Sequence, residues 1–320
     1  MFYISSRGSA ANMWLAKVLS KHPNIVCFRA TRSFPPYESG AAAGQQSVCT
    51  PDEFIKGLLE CEKATHNEKM FGAIHGYPGI AAKEACESNG GFFGYTTRHP
   101  ISRIHSAFIY YMDAYLQRQR IKIANKDIHD YVCSELLFNR DLSEYQTIPE
   151  PHIIGTTQAK SMFATLLPRP IKKFIKPVIN AHFTSRWPAE KTPPPDESKR
   201  VAYTAWLFNS TANSFLKFDR QLYDNCSLAQ GIKMEDMTQS VEYFKSRVGM
   251  QIAPNLEWPD KYIDDVLLGK KFNVHRSKPI LPQEIWRTWP EGMRNMMIRH
   301  FDFYNTVEMC NEFDYDISYL

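Results

Sequence analysis

Short apolar runs alternate along roughly the first 120 residues with stretches whose apolar positions recur at helical spacing. Phe2-Tyr3-Ile4-Ser5 is short and apolar, as a buried strand requires. Residues 6–11 are small or polar and pack nothing by themselves. From Asn12 onward, Trp14, Leu15, Val18 and Leu19 share one helical face. Asn12 is placed to cap that helix, and His22-Pro23 to end it. Ile25-Val26-Cys27-Phe28 predicts a second strand, residues 31–50 a polar loop and residues 51–64 a helix. Phe71-Gly72-Ala73-Ile74-His75 predicts a third strand, stopped by Gly76-Tyr77-Pro78-Gly79. A helix over 80–88, closed by Asn89-Gly90-Gly91, leads to a fourth strand over 92–97. Pro100, tolerated in a first turn, starts a long helix running to about residue 119.

Strands alternating with helices indicate an α/β fold: a mainly parallel central sheet flanked by helices, with a P-loop-like strand–loop–helix at the start. The pattern breaks over 120–200, where prolines interrupt the helical patches and Pro193-Pro194-Pro195 closes the stretch. That region reads as a helical and loop insertion covering an acceptor site. Beyond it come a helix over 201–216, a strand at Gly231-Ile232-Lys233-Met234, a helix over 238–248 and a C-terminal helix over 283–304. With no internal repeat, residues 1–320 read as one domain. A chain of this length buries roughly three quarters of its unfolded surface, so it needs neither disulfides nor a structural metal.

Composition narrows the function classes. A net charge of +4 is too slight for a nucleic-acid track, which wants a concentrated basic stripe, but suits a small anionic ligand at a local basic site. The seven cysteines are scattered and form no C-x-x-C pair, which excludes zinc-ribbon and thioredoxin-type motifs. They read as buried reduced thiols. No cluster with metal-ligand spacing such as H-E-x-x-H occurs. No run approaches the roughly 20 apolar residues of a membrane span, and no leader pattern opens the chain. The expected location is cytoplasmic.

Chemistry enters at the first loop. Arg7-Gly8-Ser9-Ala10-Ala11 runs into a helix whose unpaired N–H groups and positive dipole end suit an anion. Arg7 adds a forked, charged donor. The Walker form G-x-x-x-x-G-K-[ST] occurs nowhere, which argues against a Mg²⁺-dependent ATPase or kinase. The same residues also suit an ordinary strand-to-helix connection carrying a surface arginine.

The segment Gly94-Tyr95-Thr96-Thr97-Arg98-His99-Pro100-Ile101-Ser102-Arg103-Ile104-His105-Ser106 resembles the 3′-phosphate motif of sulfotransferases that use 3′-phosphoadenosine 5′-phosphosulfate (PAPS). In that motif a strand ends in Arg, a polar residue and Pro follow, and Ser stands eight positions after the Arg. The resemblance implies that Arg98 and Ser106 bind one phosphate. It also makes the first loop similar to the family's 5′-phosphosulfate loop, a basic residue followed by Ser-Gly-Thr-Thr-Trp-Leu. With Trp14-Leu15 in register, Ala10, Ala11, Asn12 and Met13 stand at Ser-Gly-Thr-Thr, Ser9 takes the basic place, and Arg7 falls two positions early. Either Arg7 reaches the phosphosulfate from a longer loop or a hydroxyl contact has been lost. By the same resemblance Trp14 stacks on adenine, although an indole there is equally suited to the core. Met234-Glu235-Asp236-Met237 resembles the family's late Tyr-Glu-Asp-Leu strand end. Phe272-Asn273-Val274-His275-Arg276 resembles its late basic loop, which adds His275 and Arg276 to the expected nucleotide contacts.

What the resemblance implies is in-line transfer of a sulfuryl group from PAPS to a hydroxyl or amine of a small-molecule acceptor. 3′,5′-Adenosine bisphosphate (PAP) is the product, and no metal, nucleic acid or membrane takes part. Positioning and charge stabilisation govern such transfers. His75, in a setting similar to the family's Lys-Thr-His-x-Pro segment, is the expected general base; an imidazole titrates ordinarily at about 6.5. A structural hydrogen bond at the strand end is the competing role. Ala73 replaces the family's Lys, so stabilising the leaving group falls to Arg7 or to the loop amides. Glu38, Glu53 and Glu84 are reserve carboxylates, and His99 and His105 are expected in solvated or supporting places. Phe108, Tyr110, Tyr111, Tyr115 and Trp187 suit either an acceptor pocket or the core. The alternatives are a P-loop-like nucleotide kinase and a non-catalytic nucleotide-binding protein.

Overall fold

Strand runs that are apolar on both faces belong in a parallel sheet covered by helices on each side. A computed structural model describes residues 1–8, 11–29, 49–119, 121–124, 127–142, 196–259 and 280–320. Its sheet has five strands: β1 (Phe2–Ser5), β2 (Ile25–Arg29), β3 (Met70–Ile74), β4 (Phe92–Thr97) and β5 (Gly231–Lys233). Every pairing is parallel, in the order β2-β3-β1-β4-β5. Ile4 stands opposite Ile74 on one side and Gly94 on the other.

The two-residue period of β1 splits the core between the sheet's faces. Phe2 and Ile4 pack with Leu15, Val18 and Leu19 of α1 (Asn12–Lys21). Tyr3 joins the opposite cluster, with Phe54 and Leu58 of α2 (Pro51–Ala64) and Cys86 of α3 (Lys83–Ser88). A third core, built mainly from helices, gathers beyond that face. It is built by α4 (Pro100–Arg118), α5 (Ile128–Asp130, continuing as a π-helical stretch Tyr131–Leu136) and α6 (Glu197–Asn225). Trp289, between two C-terminal helices, and Met297 in the second of them fill it.

Several boundaries differ from the sequence expectation for identifiable reasons. Asn12 does not cap α1: the cap position is Ala11, in the left-handed region at φ 54°, and Asn12 is the first helical residue. The helix expected over 80–88 begins only at Lys83, after a turn in which Gly79 takes φ +54°. The helix expected over 201–216 runs from Glu197 to Asn225. Asp196 caps its start by accepting from Lys199 N at 2.8 Å, and Phe218 and Leu222 extend its buried face beyond the expected end. Met234 leaves the sheet to open α7 (Met234–Met237). The helix expected over 238–248 begins at α8 (Val241–Tyr243), becomes π-helical over Phe244–Gly249 and ends with a short helical turn, Met250–Ile252. The single C-terminal helix is two, α9 (Pro282–Thr288) and α10 (Glu291–Phe303), because Pro290 can neither donate nor fit inside a helix. A further helix, α11 (Thr306–Glu312), follows. Of the insertion expected over 120–200, residues 143–195 lie outside the described residues. No helix among the described residues is long and apolar enough to cross a membrane.

Candidate functional site

Strand order locates a crevice. The chain leaving β1 turns toward β2 on one side of the sheet, whereas β4 lies on its other side, next to β5. Where neighbouring strands send their connections in opposite directions, the loops part and a cleft opens at the carboxyl ends. Ser6-Arg7-Gly8 leaves β1 there and Arg98-His99 leaves β4. The two exits are stitched together by Thr96, whose buried hydroxyl donates to Ser6 Oγ at 2.7 Å.

β3 delivers His75 to the same edge. Its backbone N donates to Ile4 O at 3.1 Å, and its ring Nδ1 bonds the carbonyl of Ser6. A carbonyl oxygen only accepts, so Nδ1 carries the hydrogen and Nε2 keeps the basic lone pair. The turn after His75 is pinned from below: the hydroxyl of Tyr3 accepts from Gly76 N at 3.0 Å and from Tyr77 N at 2.5 Å. Ser5 Oγ donates to Gly79 O at 2.6 Å. Gly8, Ala11, His75 and Gly79 all have positive φ, so left-handed backbone gathers around this edge.

Three arginines and two carboxylates set the charge of the crevice. Arg98 keeps part of its surface open, yet burial of its guanidinium lowers its pKa, opposed by the nearby Glu235 carboxylate. Glu235 also accepts from His99 N at 3.0 Å, which fixes the strand exit relative to α7. Arg103, fully buried on α4, forms an ion pair with Asp219 of α6. Burial raises the pKa of Asp219, while Arg103 and Arg7 pull it back. Arg7 is exposed, but its guanidinium lies over the rings of Phe215 and Phe218, at 5.3 and 5.9 Å.

Arg7, Gly8, His75 and Arg98 thus share one end of the sheet. Ser106 is half-buried on α4, two turns beyond Arg98. Asn12 is buried in the first turn of α1 with its Oδ1 unbonded, and Met13 is half-buried. Trp14 packs edge-on against Phe244 at 5.9 Å, a core contact that leaves part of its ring open. Ser9, Ala10, Glu38, Trp187, His275 and Arg276 lie outside the described residues. His99 bonds Asp316 O through Nε2 at 3.0 Å and stacks on Tyr319, so the C-terminal segment covers it. His105 faces the helical core, 4.9 Å from His129, and not the crevice. Glu53 completes the capping box of α2 with Thr50, and Glu84 is exposed on α3. Phe108 and Tyr115 are core residues, while Tyr110 and Tyr111 are exposed.

The sequence reading passed over Tyr3, Ser6, Arg103 and Asp219. A single charge inside the apolar face of α4, between Ile101 and Ile104, was the one available signal for Arg103. No family model, curated protein or solved structure matches the chain.

Proposed function

We propose that the chain transfers a sulfuryl group from PAPS to a hydroxyl or amine of a small-molecule acceptor. The observation that carries this reading is the convergence of the β1 loop, Arg98 and an Nδ1-tethered His75 at the topological switch point. In the proposed reaction the acceptor oxygen or nitrogen attacks sulfur and its proton passes to His75 Nε2. The bond from sulfur to the 5′-phosphate oxygen breaks, and its electron pair leaves with PAP. The start of α1 and the loop amides would hold the phosphosulfate, with Arg98 and Ser106 on the 3′-phosphate. An enclosed guanidinium opposed by one carboxylate suits a multiply charged phosphate, which brings more negative charge than Glu235.

Calorimetric titration of PAP, with ATP as the control ligand, tests the reading. Wild type should bind PAP with a Kd on the order of micromolar or below, and Arg98→Ala should weaken it by about tenfold or more. Absence of PAP binding, or an equal preference for ATP, would sink the sulfotransferase reading. Tight PAP binding without turnover on any acceptor would favour a non-catalytic nucleotide-binding protein. That alternative is motivated by Ala10 and Ala11 standing where the family has Ser and Gly.

A further inference from the structure

The sheet's faces separate two sets of groups around the crevice. Phe2 and Ile4 belong with α1, and so does Trp14; Tyr3 belongs with Tyr95, Phe218 and Leu222 on the opposite face. Arg7 continues the Tyr3 side. Its guanidinium carbon lies 5.3 Å from the centre of the Phe215 ring and 5.9 Å from that of Phe218, both on α6. The body of α1 therefore packs on one face of the sheet, while the Arg7 guanidinium lies over rings of α6 on the other.

Arg103 rests on the same two rings, at 5.3 and 5.8 Å, and pairs with Asp219. Its Nε and Nη2 are buried without a hydrogen-bond partner. Two guanidiniums therefore share one carboxylate, and the group retains an excess positive charge. Arg7 is its exposed member, and the exposed phenol of Tyr111 is its other close polar neighbour. The floor is rigid, because Phe215 and Phe218 are buried. A guanidinium seated on aromatic faces and partly withdrawn from water binds a carboxylate or sulfate more strongly than a freely solvated one.

We propose that Arg7, held over Phe215 and Phe218 above the Arg103–Asp219 pair, anchors an acceptor subsite for a carboxylate or sulfate group carried by the acceptor. Calling the ligand an acceptor rests on the sulfotransferase reading; the anionic subsite itself stands on the α4–α6 geometry.

The test compares two probes that differ in one group. p-Nitrophenyl β-D-glucuronide carries a carboxylate where p-nitrophenyl β-D-glucoside carries a hydroxymethyl group. Each is titrated calorimetrically into wild type, Arg7→Met and Arg7→Lys, with and without saturating PAP. Wild type should bind the glucuronide about tenfold or more tightly than the glucoside. Arg7→Met should bring the glucuronide down to the glucoside's level, and Arg7→Lys should retain part of the preference. The titrations without PAP decide the subsite, because Arg7 also belongs to the β1 loop expected to face the phosphosulfate. The proposal is overturned if wild type binds the two probes equally or binds neither. Survival of the preference in Arg7→Met, measured without PAP, would also overturn it. Failure of wild type to bind PAP counts against the donor reading alone, because the titrations without PAP still judge the subsite.

Discussion

His75 sits one residue past β3 in the left-handed region, at φ 59°. For a non-glycine residue that conformation costs about 1–2 kcal/mol, so its surroundings must hold it. Three groups do so: Ile4 O and Ser6 O bond the residue itself, and the Tyr3 hydroxyl takes two backbone N–H groups immediately after it. Tyr3→Phe keeps the ring packing against Phe93 and removes the hydroxyl, which accepts from Gly76 N and Tyr77 N and donates to Tyr77 O at 3.3 Å. The variant should lose about 1–3 kcal/mol of stability in urea unfolding; an unchanged midpoint would mean the hydroxyl does not hold the turn. That His75 and Arg98 stand at strand exits was legible in sequence, because each follows an apolar run and precedes its own turn signal. Tyr3 was not. Its apolar neighbours mark it as a core residue, and nothing local says which backbone its hydroxyl reaches 73 positions away.

Elements are tied to one another by contacts that local pattern does not encode. α4 was legible from Pro100 onward and α6 over 201–216, and the two bury Ile101, Ile104 and Phe108 from one and Val201, Phe208 and Phe215 from the other in a shared core. Their mutual register is fixed in part by the Arg103–Asp219 pair, 116 positions apart. A buried pair adds little over an apolar substitute, but removing one partner strands the other charge. Asp219→Ala should therefore destabilise the protein by about 3–5 kcal/mol, and Asp219→Ala combined with Arg103→Met should recover most of that loss. Denaturant unfolding of the single and double variants decides it: an equal loss in both would show that Asp219 acts through packing, not charge. The short helices after β5 were misread for a related reason. Met234 continues the alternation begun by Ile232, yet the chain turns there and Glu235 reaches His99 N, a destination set by β4 and not by the residues around Met234.

At the scale of the molecule, the α/β class and the strand sequence could be read directly, because a parallel sheet buried on both faces needs runs that are recognisable one at a time. Strand order could not, since it depends on which faces of separate elements fit. That order brings the C-terminal segment over the β4 exit, where His99 is buried with its Nε2 on Asp316 O and beside the Tyr319 hydroxyl at 3.1 Å. Burial lowers the His99 pKa; the Asp316 carbonyl, Glu235 and Asp316 oppose that shift, and Arg98 adds to it. His300, half-buried and bonded through Nε2 to Asn209 Oδ1 at 2.7 Å, is lowered for the same reason. A histidine whose folded pKa lies below its unfolded value of about 6.5 takes up its proton more readily when unfolded. Stability supplied by its neutral form is therefore complete above that value. It declines as pH falls below about 6.5 and levels off once pH passes the lowered folded value. Carboxylates held low, such as Asp196 at about 2, act in a separate and more acidic window. Urea unfolding from pH 7.5 to 5 should show wild-type stability falling in the upper window. His99→Gln should make that slope shallower, and His99→Gln combined with His300→Gln shallower still. If the three slopes coincide, the C-terminal segment does not hold His99 neutral, and the cover over the crevice is looser than its hydrogen bonds indicate.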